Sequence, residues 1–263
     1  MSEPNLAATM STLRSEIGRR IGTTRTYSSM TTDSKDDVDG ILVRGLRAFY
    51  WPMVLDGDAA MHAWSFLKPS HAMNISANIA EYDLPDDFGG MEDEIIFDTG
   101  RGYRPLELRN ENQIRQLNED SSSSTGIPMW AASLPKRTDG IIGQRFKLLI
   151  GPTPDGSYTV RVRYSILPDK LVATTNEYPY GGSAHSNTIL MACLAQADML
   201  LNTETNRQSL VHWQAFVECL RSSIEYDRRF FSPQKLGVNT IGRIRQRFGA
   251  NRDVTYKNVL YTS

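Results

Sequence analysis

Eight carboxylates crowd the stretch from residue 81 to residue 98: Glu81, Asp83, Asp86, Asp87, Glu92, Asp93, Glu94 and Asp98, with no lysine or arginine among them. Grouped oxygens of this kind are what a hard cation such as Mg²⁺ or Ca²⁺ takes as ligands. Their spacing does not match the EF-hand loop. The plainer reading is a solvated turn with acidic strand edges, a surface for a basic partner chain before it is a catalytic pair. A metal-dependent hydrolase built on Asp86 and Asp87 is the remote reading. The histidines, His62, His71, His185 and His212, make no H-E-x-x-H and have no C-x-x-C companion, so zinc has weak support. His212 and Cys219 lie two helical turns apart and can share a face, but a lone cysteine on an apolar helix behaves as a small buried hydrophobe. There is no G-x-S-x-G, no P-loop and no G-x-G-x-x-G opening a helix. Gly100-Arg101-Gly102 sits between strands and reads as a turn. The expectation is no enzyme: no catalytic residue, no cofactor and no metal ligand is assigned.

The strongest chemical signal is charge. From Arg228 to Ser263 the chain carries eight basic side chains against Asp253 alone, a net of +7. The total is −1, so the rest of the chain stands at −8. The basic stretch is dotted with apolar residues yet is too short to close a core of its own. Such a segment orders against something else. Ile241, Ile244 and Phe248 recur at helical spacing beside Arg243, Arg245 and Arg247, and Val254 and Tyr256 alternate like a strand. Docking on a protein surface by helix-in-groove packing or strand addition is the favoured reading. The residues assigned to it are Leu236, Val238, Ile241, Arg243, Ile244, Arg245, Arg247, Phe248, Arg252 and Tyr256. The rival is phosphate neutralisation on DNA, without sequence readout.

The elements that must hold these residues change character along the chain. Met10, Leu13, Ile17 and Ile21 predict a helix, with Pro4 suited to its first turn and Gly22 to its stop. Val38, Ile41, Leu42, Gly45, Leu46 and Phe49 predict a second helix, opened by a Ser34/Asp37 capping box and ended by Pro52. Gly40 and Gly45 mark where another backbone can pack closely. Short alternating runs follow: Ala63–Leu67, Met73–Ala77, Glu81–Leu84, Glu94–Phe97, Met129–Leu134, Gln144–Ile150 and Tyr158–Ile166, the last two as a hairpin. One helix, Asn110–Asp120, interrupts them, and the Ser121–Ser124 run reads as a mobile loop. Helix returns over His185–Asn202, with Leu190, Leu194, Ala197 and Leu201 on one face. It returns again from a Thr205/Gln208 cap to Phe230, striped by Trp213, Val217, Leu220 and Ile224. The aromatics of Phe49-Tyr50-Trp51-Pro52 and His62-Ala63-Trp64-Ser65-Phe66 cement the junction between helices and sheet.

The predicted class is therefore α+β: an α-helical bundle with a long β-rich, sandwich or barrel-like, insertion and an extended C-terminal arm. The expected divisions are 1–59 (helical), 60–182 (β-rich), 183–230 (helical, packing with 1–59) and 231–263 (the arm). Apolar residues at 40% and charged residues at 22% are ordinary for a folded protein. No apolar run approaches the roughly 20 residues a membrane span needs. Two cysteines and an N-terminus without a signal layout fit a reducing compartment.

The residues also resemble a family. The helix over 34–51, HAWSFLKP, EYDLPDDFGG, GQRFKLLIGPTPDGSYTVRVRYSILPDKL, the helix near CLAQADMLL, and SIEYDRRFFSPQKLG resemble head-to-tail adaptors of tailed bacteriophages, also called connector or tail tubular proteins. The likeness runs through about residues 34 to 237. It implies a virion protein at the portal vertex, assembled in the host cytoplasm as a dodecameric ring. The helical bundle would contact the portal and the β insertion would face tail, nozzle or tail-terminator proteins. The arm would run onto the portal or a neighbouring subunit, and genomic DNA would pass through the channel unread. The alternatives are a nucleic-acid-binding or packaging-associated phage protein using the basic tail, and a minor capsid or tail-completion protein.

Overall fold

Five helices and ten strands make up the computed structural model, which describes residues 6–55, 60–98, 102–120, 125–137, 143–169, 171, 177–201, 210–231, 254–256 and 259–261. The chain divides into two units, Met1–Asp227 and Arg228–Ser263.

Helix α1 (Met10–Ile21) starts at Thr9, whose hydroxyl accepts from the Thr12 N–H. It ends at Gly22, where φ of 82° lets the backbone turn left-handed and return its N–H to Arg19. Pro4 lies outside the described residues. Helix α2 (Thr32–Tyr50) starts earlier than the expected Ser34/Asp37 box. Thr31 is its cap and accepts from the Ser34 N–H. Its first turn carries one acid, Asp33, which the positive helix N-terminus favours. Gly45 meets its expectation: a Cβ there would lie 2.6–2.9 Å from Cys193. Gly40 does not, since among the described residues nothing lies within 4 Å of a Cβ added there.

Helix α4 (Gly182–Leu201) crosses α2 at that contact and also packs on α1. Of its expected stripe, Leu194 and Ala197 are buried and Leu190 is half-buried, but Leu201 is exposed. The buried set is wider than one stripe, taking in His185, Ile189, Ala192, Cys193, Ala195 and Asp198 as well, because α4 is covered on several sides. Helix α5 (Val211–Phe231) buries Phe216, Leu220 and Ile224 on the same core, with Trp213 and Val217 at its rim. The Thr205/Gln208 cap lies outside the described residues.

Between α2 and α4 lies a two-sheet sandwich; no barrel closes. One sheet runs β1 (Ser70–Ile75), β8 (Tyr158–Ile166), β3 (Phe88–Met91), with β4 (Ile96–Phe97) also on β8. The other runs β2 (Glu81–Asp83), β7 (Phe146–Gly151), β6 (Trp130–Pro135), β5 (Glu107–Leu108), the last pair parallel. Inward residues of both sheets share one core: Met73, Ile75, Val160 and Val162 from the first, Ala131, Leu148 and Ile150 from the second. On the outer face of the second sheet, α3 (Glu111–Asp120) sets Ile114 over Ala132, Leu134 and Leu149.

Three sheet expectations are corrected. Ala63–Leu67 is no strand: Ser65–Leu67 forms a 3₁₀ turn that buries Trp64 and Leu67. The β7–β8 hairpin does not form; the chain leaves one sheet after Gly151 and enters the other at Tyr158. Strand β3 occupies Phe88–Met91, where Gly89-Gly90 looks like a turn, and its register shifts between Phe88 and Gly90. Such a bulge accommodates glycines in a strand.

In the second unit, β9 (Val254–Tyr256) and β10 (Val259–Tyr261) pair antiparallel. Val254 and Tyr256 thus fall in a strand as expected.

Candidate functional site

The acid-rich stretch resolves into ion pairs made with distant residues. Glu81 on β2 receives Lys147 at 2.7 Å and Arg115 of α3 at 3.0 Å. These two partners, Lys147 first, hold its carboxyl below the usual range. Asp83 meets Lys136, Asp86 meets Arg145, Glu92 meets Lys68, Asp93 meets Arg163 and Asp98 meets Arg161, at 2.6–3.2 Å. Asp87 accepts from the Tyr164 hydroxyl at 3.1 Å. Burial and then this bond push that phenol up to about 12. Lys147 stands on β7 and Arg161 and Arg163 on β8, antiparallel neighbours of the acidic strands, whereas Lys68 lies just before β1, Lys136 just after β6, Arg145 just before β7 and Arg115 on α3. The expected acidic surface is thus largely a set of ion pairs, each contributing under about 1 kcal/mol where exposed. Among the described residues no three His, Cys, Asp or Glu side chains are grouped to hold a metal ion.

Two of the four histidines, His62 and His212, go to buried carboxylates that the spacing did not single out. Asp198 of α4 takes Arg20 of α1 at 2.5 Å and His212 of α5 at 2.7 Å, tying three helices. Asp227 of α5 takes His62 Nε2 at 2.9 Å, the Ser65 N–H at 3.2 Å and the Ser65 hydroxyl. This serine and histidine both bond the carboxylate and not each other, so the trio braces a junction and activates no nucleophile. The signal was present: Asp227 continues the Leu220–Ile224 stripe, where a charge must be paired if it is buried.

His185 stands apart. It is buried among Phe49, Trp64, Phe66 and Tyr226, with ring centroids 5.2–5.8 Å away, and its Nδ1 has no hydrogen-bond partner among the described residues. Burial lowers its pKa. Trp64 donates to the Phe49 carbonyl at 2.9 Å. The aromatic landmarks thus form one cluster where α2, α4, α5 and the start of the sandwich meet. His212 and Cys219 do not join: the histidine turns to Asp198, and Cys219 Sγ accepts from Asn187 at 3.3 Å. Cys193 is fully buried, and burial alone pushes its thiol up to about 12. Neither thiol has the electropositive setting of a nucleophile. Of Gly100-Arg101-Gly102, only Gly102 is described; its φ of 67° suits a turn.

What the surface offers is apolar contact. Met53, Val54 and Leu55, just past α2, line a groove of about 440 Å³ with Trp213, Val217 and Arg221 of α5. A second cleft, on the sandwich, is lined by Tyr103, Pro105, Ile127, Met129 and Trp130. Exposed apolar surface rimmed by polar groups marks contact sites. Of the assigned docking residues, Leu236, Val238, Ile241, Arg243, Ile244, Arg245, Arg247, Phe248 and Arg252 lie outside the described residues, and Tyr256 lies in β9.

A family model described as SU10 adaptor protein matches residues 8–237. The chain belongs to the SU10 adaptor protein family. That membership meets the expectation of a tailed-phage head-to-tail adaptor family, drawn from about residues 34 to 237. It carries the SU10 adaptor match back through α1, which the resemblance did not reach. The matched region takes in the helical layer, the sandwich and both buried carboxylates. No curated protein matches the chain. Among the described residues no helix is long and apolar enough to cross a membrane.

Proposed function

We propose that this chain is the structural adaptor between portal and tail in a tailed phage. It assembles as a dodecameric ring whose channel passes genomic DNA without reading it. The observation that carries this is the family match, which spans helical layer and sandwich together. A groove of mixed polarity on the helical layer and a mainly apolar cleft on the sandwich suit a protein that must meet a neighbour at each layer. In this reading 1–59 and 183–230 form the ring body and touch the portal, and the insertion at 60–182 meets tail, nozzle or tail-terminator proteins. The basic arm, 231–263, docks on the portal or a neighbouring subunit through Leu236, Val238, Ile241, Ile244, Phe248 and Tyr256, flanked by Arg243, Arg245, Arg247 and Arg252. No catalysis, cofactor or membrane enters. A ring needs a heterologous interface whose rotation closes.

The test is cryo-electron microscopy of particles made with a tagged chain. Density as a ring between a capsid vertex and a tail is the expected result. A chain absent from particles and recovered instead with DNA would overturn the reading in favour of nucleic-acid binding.

A further inference from the structure

Three of the sandwich's edges are blunted against pairing with another chain, and one is not. Edge strand β2 has three residues, two of them acidic; β5 has two residues; β3 carries a bulge and β4 beside it is two residues long. Short length, charge and bulges are the usual protections. Strand β1 has none of them. Its six residues, Ser70-His71-Ala72-Met73-Asn74-Ile75, contain no lysine, proline or carboxylate, and its register on β8 is unbroken from Ser70 to Ile75. Ser70, His71, Ala72 and Asn74 are exposed, and among the described residues no strand pairs with its outer side.

The chain also carries a strand pair with no third strand among the described residues. β9 and β10 form a two-stranded sheet of three residues each. A lone hairpin of that size is marginal in water and gains independent stability from a further strand or a packed face. Apart from Leu260, its residues, Val254-Thr255-Tyr256 and Val259-Leu260-Tyr261, are β-branched and aromatic types suited to a sheet. Charge favours the same encounter between copies: the segment 228–263 stands at +7 and the remainder at −8.

We infer that the β9–β10 hairpin of one copy adds to the open edge of β1 in a second copy, extending its sheet to link neighbouring subunits. This rests on the adaptor reading and deepens it by naming the arm's partner as the chain itself. Strand addition supplies main-chain hydrogen bonds without demanding a side-chain pocket, which fits an edge whose outward residues are small or polar.

The experiment uses full-length chains with Cys219→Ser, leaving only the buried Cys193. One version carries Asn74→Cys and the other Thr255→Cys; both are supplied to cells producing particles, and purified particles are treated with a short bis-maleimide. A covalent product of twice the chain mass, formed only when both versions are present and abolished by a further Leu260→Pro, is the expected result. Particles containing both versions but giving no such product overturn the strand addition while leaving the adaptor reading standing. If neither version, nor the unsubstituted chain, enters particles, the adaptor reading falls and this inference with it.

Discussion

At Asp198 and Asp227, carboxylates almost without solvent contact are held by two or three donors each. Removing one member of such a group strands the rest without a partner. Asp227→Ala is therefore expected to cost about 3–5 kcal/mol, measured as a shift in the urea midpoint. The exposed pairs on the sandwich behave differently. Asp93→Asn, opposite Arg163, is expected to change stability by less than about 1 kcal/mol in the same assay. His185 gives a pH dependence with a definite sign. Its folded-state pKa lies below the ordinary 6.5, so the unfolded chain binds the extra proton first. Stability is thus unaffected by this group above that value and is lost as pH falls through it towards the depressed value. Comparing urea midpoints at about pH 7.5 and about pH 5.5 tests this. His185→Phe, placed among aromatic rings, should flatten the dependence.

At the scale of the element, helix placement follows local rules and can be tested by local changes. Thr31 accepts the Ser34 N–H at the start of α2, so Thr31→Ala is expected to cost about 1 kcal/mol. The α2–α4 crossing is set by a glycine. A methyl group on Gly45 would meet Cys193 backbone as well as sulfur, all under 3 Å, so the helices must part. Gly45→Ala should cost about 1–3 kcal/mol by thermal melting, although alanine favours a helix intrinsically, while Gly40→Ala should be neutral or stabilising. The helices and strand β8 were legible because hydrophobic spacing of 3.6 or 2 is written in neighbouring residues. β7 and β8 were also found as strands, but not as partners in different sheets.

For the whole molecule, the adaptor reading makes the arm a protein-docking segment. Deleting residues 236–263 is expected to abolish attachment of the chain to filled heads, scored by its presence in purified particles. Its retention should survive a rise from about 0.05 to about 0.2 M salt, a change that costs a phosphate-bound protein on the order of a thousandfold in affinity or more. Changing Ile244 and Phe248 together to Ser should weaken retention more than changing Arg245 and Arg247 to Gln, because desolvated apolar anchors dominate docking energy. The reverse ranking would point to DNA.

Sequence alone determined the α+β class, the helices and the Gly22 stop of α1 though not the α2 cap or the exact α4 face, most strands, the family resemblance and the charge division at Arg228. Each rests on residues close in the chain or on a sum over them. Only tertiary structure decided that six of the acids of 81–98 pair with bases up to 70 residues away. It alone likewise set the β7–β8 parting and the bracing of α5 by Asp198 and Asp227. Strand partners and buried ion pairs depend on which distant segments share a core, and no local spacing encodes that.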